Sequence, residues 1–220
     1  MENTLDLIII NNKEKNNINN DILKTLKPGG YIFSFDVPSK AHNSVCDIED
    51  IGFLIKDSIS YFFKENEDVK QDVICLAMKP LSEKNFAENV MKWGTGGLNI
   101  GKSRIGNEKI TIKGNNNINM FGGFKDKGEL NIEHEGRYPA NFIISEDVAP
   151  VLDKQSKEAS RFFYNAKSYK DLLRYITVLG LPPKNSKTLF VGFDNVDEII
   201  EEINKESNVN YEAITIGGIE

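Results

Sequence analysis

The feature that most constrains this chain lies at its start. Leu5-Asp6-Leu7-Ile8-Ile9-Ile10 is an almost unbroken apolar run, halted by Asn11-Asn12. Apolar residues at consecutive rather than alternate positions are what a strand covered on both faces requires, and such strands belong to parallel sheets flanked by helices. The residues that follow agree. Ile22, Leu23 and Leu26 predict a helical face, closed by Lys27-Pro28-Gly29-Gly30, and Tyr31-Ile32-Phe33-Ser34-Phe35 predicts the next strand. Residues 39–51 read as a helix ended by Gly52, residues 53–63 as one or two strands, and residues 71–79 as another. Strands alternating with helices predict an open, mostly parallel α/β sheet.

The middle of the chain breaks this rhythm. Residues 93–136 are glycine-rich, carry Asn115-Asn116-Asn117, and alternate only in stretches such as Lys109-Ile110-Thr111-Ile112-Lys113. That pattern predicts an inserted lobe of loops and hairpins over residues 93–140, within a single domain spanning 1–220. Its early part leans basic, with Lys102, Arg104, Lys109, Lys113, Lys125 and Lys127 against Glu108 and Asp126, before Glu129, Glu133 and Glu135 offset it. Lys102, Arg104, Lys109 and Lys113 are therefore the candidate DNA-phosphate contacts, with a solvated face as the plainer reading. Regular structure resumes near Phe142. Residues 169–179 predict a helix stopped by Gly180 and Pro182-Pro183, residues 187–193 a strand, 196–204 an acidic amphipathic helix and 211–216 a final strand of the same sheet.

Composition narrows the function classes. The 220 residues are 40% hydrophobic and 27% charged, with a net charge of -6, so neither a disordered chain nor binding of nucleic acid by bulk positive charge is indicated. The acidic balance points mildly to a protein partner or a second copy of the chain rather than to DNA. No apolar stretch is long enough for a membrane span and the N-terminus is acidic, so the expectation is a protein without membrane contact, in the cytoplasm of a host cell or in a virion. Cys46, Cys75, His42 and His134 lack metal-ligand spacing; no metal is expected, and both thiols are expected to be reduced and packed among apolar groups.

Several stretches taken together carry a resemblance. They are Leu26-Lys27-Pro28-Gly29-Gly30-Tyr31, His42 with residues 46–53, Lys79-Pro80-Leu81-Ser82-Glu83-Lys84, Ala87-Glu88-Asn89-Val90, and Trp93-Gly94-Thr95-Gly96-Gly97-Leu98-Asn99-Ile100. Gly136-Arg137-Tyr138-Pro139-Ala140-Asn141 and Arg161-Phe162-Phe163-Tyr164 with Ala166-Lys167 complete the set. In this order the chain resembles the phage and prophage type of site-specific DNA methyltransferase, which modifies the exocyclic amine of adenine or cytosine. The resemblance implies a Rossmann-like class I methyltransferase sheet in permuted order: catalytic half first, a target-recognition-like lobe in the middle, cofactor half last. The lone Trp93 within this text reads as a local core plug.

The resemblance also implies residues that this chain lacks. The first strand of the family ends in Asp-Pro-Pro-Tyr or Asn-Pro-Pro-Tyr, where an acceptor, a rigid turn and an aromatic face hold the flipped-out base. Here the turn is Asn11-Asn12-Lys13-Glu14, both prolines and the aromatic are absent, and Lys13 reads as part of a solvated loop. The glycine loop that admits S-adenosylmethionine is replaced by Leu189-Phe190-Val191-Gly192-Phe193-Asp194, where Phe193 and Val196 crowd the methionine end and Asp194-Asn195 reads as a helix cap. Tyr164-Asn165-Ala166-Lys167-Ser168-Tyr169 replaces the His-Pro-Thr-x-Lys-Pro segment, and Glu220 stands where an acid would bond the cofactor ribose.

The expectation is a catalytically inactive methyltransferase-like protein of phage or viral origin, acting as a binding or structural subunit with no cofactor. In that reading no catalytic residue is expected at Asn11, Asn12, Lys13 or Glu14, and Gly192, Asp194 and Glu220 are degenerate cofactor positions. DNA contact remains possible through the central lobe. The alternative is an active S-adenosylmethionine-dependent DNA amino-methyltransferase with divergent motifs, in which Asn11 accepts the target amine and Asp194 or Glu220 holds the cofactor.

Overall fold

A computed structural model describes residues 2–14, 17–113, 131–182, 185–194, 196–206 and 210–216. The strands are β1 (Leu5–Asn11), β2 (Leu26–Asp36), β3 (Leu54–Glu65), β4 (Asp68–Met78), β5 (Ile105–Lys113), β6 (Asn131–Arg137), β7 (Phe142–Ser145), β8 (Tyr164–Ala166), β9 (Ser186–Val191) and β10 (Tyr211–Ile216). The α-helices are α1 (Asn20–Thr25), α2 (Ala41–Asp50), α3 (Phe86–Trp93), α4 (Ala149–Gln155), α5 (Tyr169–Gly180) and α6 (Val196–Glu206). Eight strands form one sheet in the order β10-β9-β1-β2-β4-β3-β7-β8, and β5 pairs with β6 in a sheet of their own.

β1 lies at the centre, paired in parallel with β2 on one side and β9 on the other, and residues 5–10 are buried. Its side chains alternate between two apolar layers. Leu7 and Ile9 join Phe33, Phe35, Phe190 and the faces of α5 and α6, whereas Ile8 and Ile10 join Ile22, Ile32, Ile48 and Leu189 beneath α1 and α2. The strand order turns back at β1, which places the carboxyl ends of β1 and β9 at the switch point where doubly wound sheets bind ligands.

β10–β9, β9–β1, β1–β2, β3–β7 and β7–β8 are parallel, and β4 runs against both its neighbours. The reason is local. No helix separates β3 from β4: Glu65 pairs with Asp68 across a two-residue turn whose first residue, Asn66, takes φ 57°, a conformation that Asn tolerates and a tight hairpin needs. Residues 54–63 thus belong to one long strand, β3, with Phe53 just before it.

The helix that starts at Tyr169 ends at Gly180, as expected, and this glycine does more than end it. It is the last residue of α5 and it sits against β1 and β2, where an added Cβ would come within 2.6 Å of Leu7 Cδ1 and of Phe33 Cε2. Its lack of a side chain brings helix and sheet together. Cys75 is buried as expected, and burial followed by the charge of Asp36 pushes its thiol up to about 11. Cys46 is exposed on α2, because the buried face of that helix is made by Ala41, Ser44 and Ile48 instead.

The most specific stretch of the resemblance proves to be scaffold. Asn89, fully buried, donates from Nδ2 to Pro28 O and to Thr95 O, both at 2.9 Å, and accepts from Ser82 N at 3.2 Å. Thr95 Oγ1 also donates to Pro28 O at 2.6 Å, and the Tyr31 hydroxyl donates to Gly96 O at 3.1 Å. Gly29, at φ 79°, passes so close that a Cβ there would lie 2.6 Å from Asn89 Nδ2. Trp93 is no core plug; it is half-buried and donates from Nε1 to Ser82 Oγ at 2.7 Å. This knot fastens α3 and the glycine-rich segment to the amino end of β2, away from the switch point.

Candidate functional site

Two regions at the carboxyl edge of the sheet meet the turn after β1. At the β1–β9 junction, Asn11 Nδ2 donates to Gly192 O at 3.1 Å and Asn11 Oδ1 accepts from Lys13 N at 3.2 Å. Asn17 Nδ2 donates to Asn11 O at 2.7 Å, and Asn17 N donates to Asn12 Oδ1 at 2.8 Å. The space beside Gly192, which has φ 74°, is filled by these groups: a Cβ there would meet Asn11 O and Asn17 Nδ2 at 3.2 Å. Phe193 turns into the core, edge-on to Phe35 at 5.6 Å and to Phe190 at 6.3 Å, so the gap is closed by Asn11 and Asn17 rather than by Phe193. Asp194 is exposed; Asn195, the other half of the predicted cap, and Glu220 lie outside the described residues.

Asn12 faces the opposite way, into a buried polar chain. Its Nδ2 donates to Ser34 Oγ at 2.8 Å, Ser34 Oγ donates to Asp36 Oδ2 at 2.9 Å, and Ser44 Oγ donates to Asp36 Oδ1 at 2.9 Å. Burial raises the Asp36 carboxyl above its ordinary value, and the two serine hydroxyls oppose that rise.

Lys13 does not lie in a solvated loop. Its ammonium pairs with the Asp72 carboxylate on β4, whose side chain is 4% exposed, and it stands 4.9 Å from the ring centroid of Tyr169 and 5.9 Å from that of Phe63. Lys40 Nζ donates to Lys13 O at 3.1 Å and fixes the backbone of the turn. Burial raises the Asp72 carboxyl, and the hydrogen bond and charge of Lys13 pull it back. Beside this pair opens a cavity of about 600 Å³, lined by Tyr61, Phe63 and Lys64 of β3, by Ser145 at the end of β7 with Glu146 and Asp147 beyond it, and by Lys167, Ser168 and Tyr169 at the start of α5. Tyr61 and Phe63 stack at 5.4 Å, and burial, then the charges of Asp147 and Asp72, push the Tyr61 phenol up to about 12. A second cavity of about 440 Å³ lies on the other side of the sheet, between α1 and the β9–β10 edge.

Asp72, Tyr61 and Tyr169 were not among the residues singled out from the sequence. The available signal was Asp72 itself, an acid directly before the apolar run Val73-Ile74-Cys75-Leu76-Ala77, together with Tyr61 and Phe63 two apart on one strand face.

The lobe residues do not converge into one basic face. Lys102 and Lys109 are exposed, whereas Arg104 is half-buried and donates from Nη1 to Gly136 O at 3.2 Å. Lys109 pairs in register with Glu135, and Thr111 with Glu133, so the acids of β6 sit directly across from the β5 stripe. The side chain of Lys113 and the whole of Asn115-Asn116-Asn117, Lys125, Lys127 and Glu129 lie outside the described residues. What the hairpin does bring together is Arg137 and Arg161 on the ring of Phe162, at 4.7 and 5.0 Å, with Glu108 paired to both guanidinium groups. This cluster staples the hairpin to the 3₁₀ turn Ala159–Phe162.

Among the described residues, no group of three His, Cys, Asp or Glu side chains is placed to hold a metal ion, and no helix is long and apolar enough to cross a membrane.

The architecture is a mixed α/β fold with a large, mostly parallel, Rossmann-like sheet. No protein-family model matches the chain, and no curated protein matches it in sequence. Solved structures similar to it include the M1.HpyAVI–SAM complex (12% identity, TM-score 0.48, covering 97% of this chain and 81% of the other) and M1.HpyAVI itself (12%, 0.49, 97% and 81%). The PvuII DNA methyltransferase, named as cytosine-N4-specific, is similar at 8% identity and TM-score 0.47, over 98% of this chain and 76% of its own. With TM-scores below 0.5, the fold class rests on the chain's own strand order.

Proposed function

We propose that this chain is a binding or structural subunit built on a DNA-methyltransferase-type sheet, and that it does not itself transfer methyl groups. The observation that carries the reading is the closure of the β1–β9 junction. Asn11 and Asn17 occupy the space beside Gly192, with a side-chain amide bonded to the Gly192 carbonyl, where the family glycine loop lets the backbone approach its cofactor. These residues do not fit S-adenosylmethionine at that position. The turn itself supports the same reading. Asn11, the one residue there able to accept a base amine, spends its Oδ1 on Lys13 N and its Nδ2 on Gly192 O, while Lys13, at the place of the second proline, is drawn off to Asp72 and Tyr169, and Glu14 stands where the stacking ring would be.

The partner in this proposal is another protein or a second copy of the chain, in keeping with the net charge of -6 and with the acids that face the β5 lysines. Phage or viral origin, and residence in a host cytoplasm or a virion, belong to the same proposal and follow from the resemblance. Isothermal titration with S-adenosylmethionine tests it. The expected result is no heat of binding at millimolar ligand; saturable binding in the micromolar range would reject the reading in favour of an active enzyme, for which methyl incorporation into DNA is the next assay.

A further inference from the structure

We infer that the 600 Å³ cavity at the carboxyl ends of β3, β7 and β8 is a recognition site for a small organic ammonium ion, with its inner position held by the chain's own Lys13. The inference does not depend on whether methyl transfer occurs.

The lysine ammonium is received as such a ligand would be. A carboxylate on a 4%-exposed side chain, Asp72, neutralises it, the ring of Tyr169 lies 4.9 Å away and that of Phe63 5.9 Å away. A buried acid beside two aromatic faces is the chemistry by which proteins recognise amines and quaternary ammonium groups. The stacked Tyr61 ring extends the apolar wall, and burial keeps its phenol neutral well above pH 7.

The arrangement is larger than its occupant. Lys13 lines the cavity and does not fill it, and two further acids, Glu146 and Asp147, stand on the wall. Lys64 and Lys167 stand on the wall as well, so the site carries both signs, and Asp72 is its buried acid, the one already paired with an ammonium. Lys13 sits on a short turn rather than within β1, tied down by Lys40 and by Asn11. It is therefore a tethered competitor: its high local concentration keeps free amines out until the turn moves.

Removing that competitor is the test. Lys13→Ala and Lys13→Met are titrated with butylammonium chloride, which carries an ammonium on a four-carbon stem like that of lysine, alongside wild type and with sodium chloride at equal ionic strength as control. Lys13→Ala is expected to bind butylammonium saturably and at least tenfold more tightly than wild type. Lys13→Met, whose side chain keeps the stem's volume, is expected to bind more weakly than Lys13→Ala. Asp72→Asn in the Lys13→Ala background is expected to lose that binding tenfold or more. If Lys13→Ala is too unstable to titrate, its melting temperature is expected to rise with butylammonium and not with sodium chloride. A folded Lys13→Ala that binds no better than wild type, or a melting temperature indifferent to butylammonium, overturns the inference. So does saturable binding of inorganic phosphate to wild type that Lys64→Ala and Lys167→Ala abolish, since the cavity would then be an anion site.

Discussion

Asn89→Ala is the sharpest probe of what the most family-like segment does. The wild-type amide has three connections, two buried ones to Pro28 O and Thr95 O and a partly buried one to Ser82 N. They are not equal. Pro28 O keeps a second donor in Thr95 Oγ1 at 2.6 Å, and Ser82 is exposed, so its N–H can turn to water. Thr95, 3% exposed, is left with a carbonyl that has lost its donor. A buried unsatisfied carbonyl costs about 1–3 kcal/mol, and the small void left by the side chain adds to it, so a loss of about 2–3 kcal/mol is expected. For a chain of this size that corresponds to a fall in Tm of roughly 4–12 °C. Urea unfolding followed by circular dichroism measures it. Thr95→Val removes one of the two donors to Pro28 O and is expected to cost about 1 kcal/mol alone, yet the double variant must lose more than the sum, because Pro28 O then has neither. A loss under 1 kcal/mol for Asn89→Ala, or strict additivity in the double variant, would refute the account of this knot.

Other outcomes follow from single contacts. Gly180→Ala gains helix propensity but drives a methyl into Leu7 and Phe33 at 2.6 Å, so it is expected to destabilise the fold by about 1–3 kcal/mol, read as a lower urea midpoint. Asp36 has a folded-state pKa above its ordinary value of 3.8, so its contribution is fully present below that value and is lost as pH rises through the raised one. Asp36→Asn removes this titration: its stability relative to wild type is expected to improve between pH 3 and pH 7, and a difference flat with pH would contradict the assignment. Glu108→Ala leaves Arg137 and Arg161, both against the Phe162 ring, without the carboxylate they share, so proteolysis of the β5–β6 hairpin is expected to quicken without a change in the unfolding midpoint of the main sheet; an unchanged cleavage rate would show that Glu108 is not what staples the lobe.

Much of the sheet was legible because its signals are local. The run at Leu5–Ile10, the apolar faces of α1, α5 and α6, and the final strand all report burial through spacing along the chain. The antiparallel place of β4 was not legible as such, since strand direction is set by the two-residue turn and by which neighbour the hairpin finds. Gly180 marked the end of α5 as expected, but its second role was not legible for a related reason: it is also the point where β1 and β2 press on α5. Cys46 misled because it lies one face away from the buried side of α2.

The candidate site divides the same way. The sequence by itself determined that the turn after β1 is Asn11-Asn12-Lys13-Glu14, without the prolines or aromatic of the resemblance, and that one glycine, Gly192, remains after β9. Only the tertiary structure decided what those residues do. Asn11 and Asn17 close the junction at Gly192, and Lys13 reaches across to Asp72, 59 positions away along the chain and adjacent through the β2–β4 pairing. The physical reason is that a charge is read as solvated from its neighbours in sequence, but its true environment is made by strands brought beside it. An ammonium with a buried carboxylate and two aromatic rings around it is no longer a surface charge.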